Sequence, residues 1–434
     1  MSEITPGFHQ FKLNKQLLLA IEEAGYTEPT SIQEQAIPRI QAGHDLFGVA
    51  QTGTGKTAAY LIPVLMRLKY AKIDHPRALV LVPTRELAMQ VSVETEKLGQ
   101  YQDLRTATFY GGVNKKKQVR QLEGGTDIIV STPGRLLDIY TGAGLSLRHV
   151  EVLVLDEADR MMDMGFLPQI NNILELVSIK KRQNLLFSAT LPDKVKKLAE
   201  DFLEFPEVVE VTPQSTTAET VQQYQYRVPN LKSKINLLVY MLAENDIFSR
   251  VMVFVKTKAT ANNLYKYLER KKIGEVRAIH GNKDLNARIN GIKSLENGDI
   301  RILVATDVVA RGIDVSALSH VINFDVPLMY EDYVHRIGRT GRARMQGEAI
   351  TFVNPAEEYH MQKIEELIHR PVEKVLIPDA VEITSTPFEE QQLLAREIDE
   401  QKKKDNPDFK GAFHKKKRSF RTGKTDRKKN RKKR

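Results

Sequence analysis

The chain of 434 residues contains no cysteine. That absence excludes disulfides, thiolate zinc sites and cysteine nucleophiles together. Long apolar runs are missing as well: nowhere do the roughly 18 uncharged apolar residues of a membrane span follow one another. The N-terminus, Met1-Ser-Glu-Ile-Thr-Pro-Gly7, has no basic stretch followed by an apolar one. No secretory signal is read there, so the cytosol is the expected compartment and no membrane partner is expected. Nor do any of the ten histidines stand three or four residues apart, which argues against metal ligation by protein alone. What is present is ordinary for a globular protein, with 41% hydrophobic and 28% charged residues. At roughly 100 to 200 residues per domain, the length suggests two or three domains.

Charge is unevenly spread. Lys and Arg number 65 against 55 Asp and Glu, a net +10. Seventeen of the basic residues and three Asp lie between Gln401 and Arg434, a formal +14, which leaves the first 400 residues at −4. A mildly acidic body thus carries an intensely basic tail, which points to a polyanionic partner. From Lys402 onward aliphatic residues almost vanish, so disorder is expected there. Lys415 to Arg421 and Lys428 to Arg434 would hold nucleic acid by charge, with Phe413 and Phe420 available for base stacking.

Short runs rich in Val, Ile and Leu recur between helix-like segments at Asp45 to Val49, Ala78 to Val82, Asp127 to Val130, Glu151 to Leu155 and Asn184 to Phe187. A second set lies at Val251 to Val255, Arg277 to Ile279, Ile300 to Val304, His320 to Phe324 and Glu348 to Val353. Such runs read as strands buried on both faces, as in parallel sheets with helices on either side. The expected fold class is therefore α/β, two such domains in tandem. Ahead of the first sheet, Asn14 is placed to cap a helix whose Leu17, Leu18 and Ile21 share a face and which ends at Gly25. Polar residues 211–221 read as a linker, and the strand pattern stops near Pro378. The expected divisions are an N-terminal segment 1–37, a first domain 38–211, a linker 212–221, a second domain 222–378 and a basic disordered tail 379–434.

The strongest local signal is Ala50-Gln-Thr-Gly-Thr-Gly-Lys-Thr57, placed between a strand and a helix. Gly53, Thr54 and Gly55 let backbone N–H groups wrap a phosphate chain, Lys56 neutralises β and γ oxygens, and the Thr57 hydroxyl can ligate Mg²⁺. Ala50 stands where the strict pattern has its first glycine. Asp156-Glu-Ala-Asp159 leaves the end of a buried strand, the sheet edge where ligands bind in open α/β folds. Asp156 there can hold Mg²⁺ through water, and Glu157 can deprotonate an attacking water. Pro83 to Ala88, Ser131 to Arg135 and Ser188 to Thr190 end other strands and form a polar ledge on the same edge. The second domain has no phosphate loop. It offers Ala305 to Asp314 and His335-Arg-Ile-Gly-Arg-Thr-Gly-Arg342, whose guanidinium groups suit phosphate oxygens and, supplied from a second domain, can act as arginine fingers.

Together these residues resemble the DEAD-box RNA helicases, a branch of helicase superfamily 2, over about Phe8 to Val353, with the naming letters at Asp156 to Asp159. The family's adenine-reading element is present as Gly25-Tyr-Thr-Glu-Pro-Thr-Ser-Ile-Gln33, with Phe8 seventeen residues before Gly25. The resemblance implies two tandem RecA-like domains, ATP and Mg²⁺ as cofactors, and ATP hydrolysis that locally unwinds short RNA duplexes. It assigns Gln33 and Phe8 to adenine, Lys56 to phosphates, Thr57 and Asp156 to Mg²⁺, Glu157 to the general base and Asp314 to ribose. Arg339 and Arg342 become arginine fingers, while Ser188, Thr190, His335 and Arg336 couple hydrolysis to unwinding. RNA backbone contacts fall to Thr84, Arg85, Gly112, Thr132 and Arg135, then to Gly281, Arg288 and Thr306, with little sequence preference.

Two departures stand out: Ser31 replaces a frequent proline, and Leu285 stands where the family usually has glutamine, which puts one polar contact in doubt. The layout most resembles the bacterial RhlE-type subgroup. A monomer is expected, acting on ribosomal precursors or with RNA-decay machinery. Other NTPases would lack the arginine motif in a second sheet, and only the resemblance favours RNA over DNA. An ATP-gated RNA clamp or annealing platform is the alternative reading.

Overall fold

A computed structural model of the chain describes residues 7–51, 53–72, 74–178, 182–211, 221–243, 247–307, 318–340, 347–406 and 409. Two seven-stranded sheets organise it. The first holds β1 (Leu46–Val49), β2 (Ala78–Leu81), β3 (Thr106–Phe109), β4 (Ile128–Ser131), β5 (Val152–Leu155), β6 (Gln183–Ser188) and β7 (Glu207–Glu210), in the order β3-β4-β2-β5-β6-β1-β7. The second holds β8 (Val221–Arg227), β9 (Val251–Phe254), β10 (Val276–Ile279), β11 (Ile302–Ala305), β12 (His320–Asn323), β13 (Gly347–Val353) and β14 (Glu373–Val375), in the order β10-β11-β9-β12-β13-β8-β14. Every neighbouring pair in both sheets is parallel.

Alternation along buried strands feeds cores on both faces of each sheet. Leu46, Val80, Val154 and Leu185 pack with Leu17, Ile32, Leu61 and Val91 of the helices on one face. Leu79, Leu81, Leu153 and Leu186 pack with Leu136, Ile139, Ile170 and Leu198 on the other. The second sheet repeats this, with Val251, Val253, Val304 and Phe352 on one side and Met252, Leu303 and Val321 on the other.

The four strands absent from the sequence reading carry weaker signals. Edge strands β3, β7 and β14 are short and none is buried throughout, so they lack a continuous apolar run. β8 lies inside its sheet yet buries glutamines. Gln223 Oε1 accepts from the Tyr333 hydroxyl (2.9 Å), and Gln225 Nε2 donates to Glu365 Oε1 and Val372 O (both 2.9 Å), so one end of each buried amide is paired within the domain.

Asn14 caps the helix Lys15–Glu23 by accepting from Leu17 N–H (2.8 Å), and Gly25 follows at φ +83°, as the sequence reading expects. The helix Ser31–Gln41 runs through the expected 37/38 division, and its Ile32, Ile37 and Ile40 join the first core. Val221, assigned to the linker, is the first residue of β8, and 212–220 lie outside the described residues.

The tail expected from residue 379 is corrected. Val381 enters the core of the second domain, Asn230 Nδ2 donates to Thr384 O (2.6 Å), and an 18-residue helix runs Phe388–Asp405. Glu390 accepts from Leu231 N–H (2.7 Å) and Gln401 Nε2 donates to Ala356 O (2.8 Å), which docks that helix at both ends. Heavy charge in this stretch masks the few docking contacts in sequence. The basic residues 410–434 lie outside the described residues. Among the described residues no helix is long and apolar enough to cross a membrane.

Candidate nucleotide and nucleic-acid site

Strand order decides which loops meet. All strands of a parallel sheet end on the same edge, so β1, β6 and β5 bring the loop 50–57, the Ser188-Ala-Thr190 turn and Asp156 side by side. The neighbouring trio β3-β4-β2 brings together the loops carrying Gly112, Thr132 and Thr84. One edge therefore holds two adjacent polar clusters.

In the first cluster Gly53 and Gly55 adopt φ +83° and +92°, which L side chains rarely reach. A Cβ on Gly55 would also overlap Gln33 Nε2. Thr54 Oγ1 closes the loop by donating to Gln51 O (2.7 Å). Lys56 begins the helix Lys56–Leu68, and its ammonium is buried without a hydrogen-bond partner. Asp156 faces it, accepting from Tyr60 OH at Oδ2 (3.0 Å) and from Glu157 N–H at Oδ1 (2.9 Å). Burial pushes the Asp156 carboxyl up to about 6, opposed by Lys56 and reinforced by Glu157. Glu157 sits at φ +53°, ψ +51°, a strained conformation for a non-glycine residue. Its carboxylate pairs with Arg160 Nη1 (2.9 Å), both side chains being buried.

Asp159 Oδ2 accepts from Ala189 N–H (3.1 Å), Thr190 N–H (2.9 Å) and the Thr190 hydroxyl (2.9 Å), while Ser188 Oγ donates to Thr190 O (2.7 Å). The last carboxylate of the acidic motif thus holds the turn at the end of β6. Sequence reading names Ser188 and Thr190 but misses Asp159, Arg160 and Tyr60, whose roles depend on contacts rather than on spacing.

A cleft of about 520 Å³ joins this cluster to the second domain. Lys56, Thr57, Asp156 and Glu157 line one wall; Arg339, with Ile289 and Ile292 of the helix Leu285–Asn297, lines the other. Arg342 and Asp314 lie outside the described residues. Neither expected adenine-reading side chain lines this cleft. Gln33 Nε2 donates to Gly55 O (3.1 Å) and its Oε1 accepts from Thr30 N–H (2.9 Å), so both ends of the amide brace the phosphate loop. Phe8 is buried edge-on against Phe11 and Tyr26.

In the second cluster Thr84 and Thr132 cap the helices Arg85–Leu98 and Pro133–Ala143. Gly112 lies at φ +83°, which L side chains rarely adopt, directly under the Arg85 guanidinium. Arg135 donates to Tyr110 O (3.0 Å) and Val113 O (2.7 Å) and so clamps the glycine loop from within. On the second domain the adjacent strands β10-β11-β9 place Gly281 near Thr306. Arg336 is braced inside that domain, to both Asp307 oxygens (2.6 and 2.7 Å), Asn323 Oδ1 (3.1 Å) and Asp325 O (2.7 Å). His335 stands one position before it, its carbonyl accepting from Arg339 Nε (3.2 Å). Arg288, expected among RNA contacts, instead pairs with Glu86 of the first domain, and both side chains are buried. A partner 202 positions away is invisible to sequence spacing.

The chain matches the DEAD/DEAH box helicase pattern over residues 30–198 and the helicase conserved C-terminal domain over 233–344. It is 42% identical over 380 residues to ATP-dependent RNA helicase RhlB of Pseudomonas putida, covering 86% of this chain and 95% of that protein. It is 41% identical over 372 residues to ATP-dependent RNA helicase CshA of Listeria monocytogenes, covering 86% and 70%. Saccharomyces cerevisiae Dbp5 bound to RNA and ADP BeF3 has a similar structure, with TM-score 0.75 and 29% identity over 91% of this chain and all of that one. Two RecA-like sheets in tandem, their phosphate loop and acidic motif on one edge, and these matches lead to one assignment: the chain belongs to the DEAD-box ATP-dependent RNA helicases.

Proposed function

We propose that this chain hydrolyses ATP between its two domains to separate short RNA duplexes locally and remodel RNA and RNA-protein complexes. The observation that carries this reading is the single cleft lined by Lys56, Thr57, Asp156 and Glu157 from one domain and Arg339 from the other. The residues present fit a nucleoside triphosphate with a divalent cation. The Lys56 ammonium lacks a hydrogen-bond partner, and the positive φ of Gly53 and Gly55 suits a loop whose backbone N–H groups would turn toward a phosphate chain. Thr57 and Asp156 would hold Mg²⁺, which when bound offsets charge on the phosphate oxygens.

Lys56 would pair with β and γ oxygens. Glu157 must leave Arg160 to accept a proton from water, so the 2.9 Å pair keeps the base parked. Arg339 and Arg342 would stabilise charge on the γ-phosphate, and Asp314 would meet the ribose. Thr84, Arg85, Gly112, Thr132 and Arg135 together with Gly281 and Thr306 would grip the RNA backbone, Arg85 and Gly112 presenting the ledge that Arg135 clamps. Arg288 would join them when it leaves Glu86. Asp159 links Thr190 to the acidic motif, which supports a coupling role for Ser188 and Thr190. His335 and Arg336 would serve that coupling from within the second domain, by holding the segment that carries Arg339.

We further propose a cytoplasmic setting, with ribosomal precursors or RNA-decay machinery as the occasion and a monomer as the working form. RhlE-type membership remains part of the proposal. The parked Glu157 favours one second reading, an ATP-gated RNA clamp or annealing platform with incidental unwinding. RNA-stimulated phosphate release by wild type and Glu157→Gln tests the reading: the variant should lose hydrolysis while keeping ATP-dependent RNA binding. Wild-type turnover by the variant would remove Glu157 from its role.

A further inference from the structure

The helix Lys56–Leu68 carries a tyrosine three residues past Thr57, on the same face one turn deeper. Its side chain is fully buried, with the ring tilted against Phe187 at a 5.3 Å centroid distance. The hydroxyl reaches Asp156 Oδ2 (3.0 Å), while Oδ1 of the same carboxylate takes Glu157 N–H (2.9 Å). Rotating the carboxylate would break both bonds at once. Asp156 is itself 2% exposed, so little water can replace either donor.

We propose that Tyr60 is a positioning residue for the cation site, its hydroxyl fixing the orientation in which Asp156 meets Mg²⁺. The proposal rests on the reading of Asp156 as that ligand. No spacing pattern of the phosphate loop requires a hydroxyl at this position. A phenylalanine would fill the same space beside Phe187 and leave Asp156 Oδ2 buried with one donor fewer. Partners that hold a ligating side chain contribute about 10- to 100-fold in metal affinity when removed. The Tyr60 bond is one of two on Asp156, so the lower end applies.

The test uses the full-length chain and a fluorescent ADP analogue, read as binding without turnover, titrated with Mg²⁺ and repeated in EDTA. Tyr60→Phe should raise the Mg²⁺ concentration at half-effect by about tenfold. Its nucleotide affinity in EDTA should stay near wild type, with its melting temperature lowered by no more than the loss of one buried hydrogen bond explains. Manganese binding in the presence of ADP, read by electron paramagnetic resonance, should weaken in parallel. Equal loss of nucleotide affinity with and without Mg²⁺ would make Tyr60 a packing residue and overturn the proposal. Asp156→Asn separates the two readings. An unchanged Mg²⁺ dependence in that variant would refute Asp156 as the ligand; a shift there without one in Tyr60→Phe would refute only the role of Tyr60. Tyr60→Phe added to Asp156→Asn should produce no further shift.

Discussion

Glu86→Gln is expected to loosen the closed arrangement of the two domains while leaving both sheets intact. Glu86 lies on the helix Arg85–Leu98 of the first domain and Arg288 on the helix Leu285–Asn297 of the second. Their side chains are 4% and 5% exposed, so the pair is poorly screened by salt. Removing one partner of a buried pair inside a domain costs about 3–5 kcal/mol, because the survivor stays buried. Here the survivor regains water when the domains part. The smaller value for a charge-assisted hydrogen bond, about 1.5–3 kcal/mol, therefore applies, which is roughly a 10- to 100-fold shift toward the open state. Energy transfer between dyes on the two domains, read without ligand, should fall accordingly. Nucleotide-free RNA affinity should rise, since Arg288 is released to phosphate. The exchanged pair Glu86→Arg with Arg288→Glu should restore closure without the rise in RNA affinity. Unchanged energy transfer in Glu86→Gln would refute the bridge as a determinant of closure.

Other outcomes follow from the same geometry. Lys56→Met removes a buried ammonium that has no hydrogen-bond partner, so the nucleotide-free melting temperature should hold or rise while ATP hydrolysis falls by about 10²- to 10³-fold. A melting temperature lowered by several degrees would mean that Lys56 already has a structural partner. Burial holds the His320 imidazole below its ordinary value against the opposing pull of Glu348, with the Phe248 ring tilted at 35° and its centroid 4.2 Å away. A folded value below the unfolded one of about 6.5 means that the unfolded chain takes up the proton, so stability falls as pH drops below about 6.5. His320→Asn should flatten that acid limb in urea midpoints measured between pH 5 and 7; an unchanged limb would exonerate His320. Removing residues 410–434 should flatten the log-log salt dependence of single-strand binding by about 4 if the tail neutralises ~6 phosphates, with ATP hydrolysis intact. An unchanged slope would make the tail a solubilising segment.

Much of the catalytic edge was legible because its signals are local. Glycine spacing before Lys56, a carboxylate directly after the buried run Val152–Leu155, and arginines at fixed offsets all lie within one loop or strand end. What escaped depends on contacts between distant positions. Gln33 braces Gly55 across 22 residues, Tyr60 reaches Asp156 across 96, and Glu86 finds Arg288 in another domain. The strand β8 was hidden by glutamines whose amides find these partners only in the folded domain. The helix Phe388–Asp405 was hidden by its charge, since a handful of bonds to Leu231 and Ala356 anchor it. Charge, by contrast, was fully legible: the +10 belongs to the end of the chain, and the first 400 residues carry −4.

Release of a labelled strand from a short RNA duplex, compared under ATP and under a non-hydrolysable analogue, tests most directly whether this cleft drives strand separation. The account predicts repeated release with ATP, and with the analogue a single round at most, ending in a stable complex on the RNA. Binding with neither release nor recycling under ATP would contradict it and leave the chain an ATP-gated clamp.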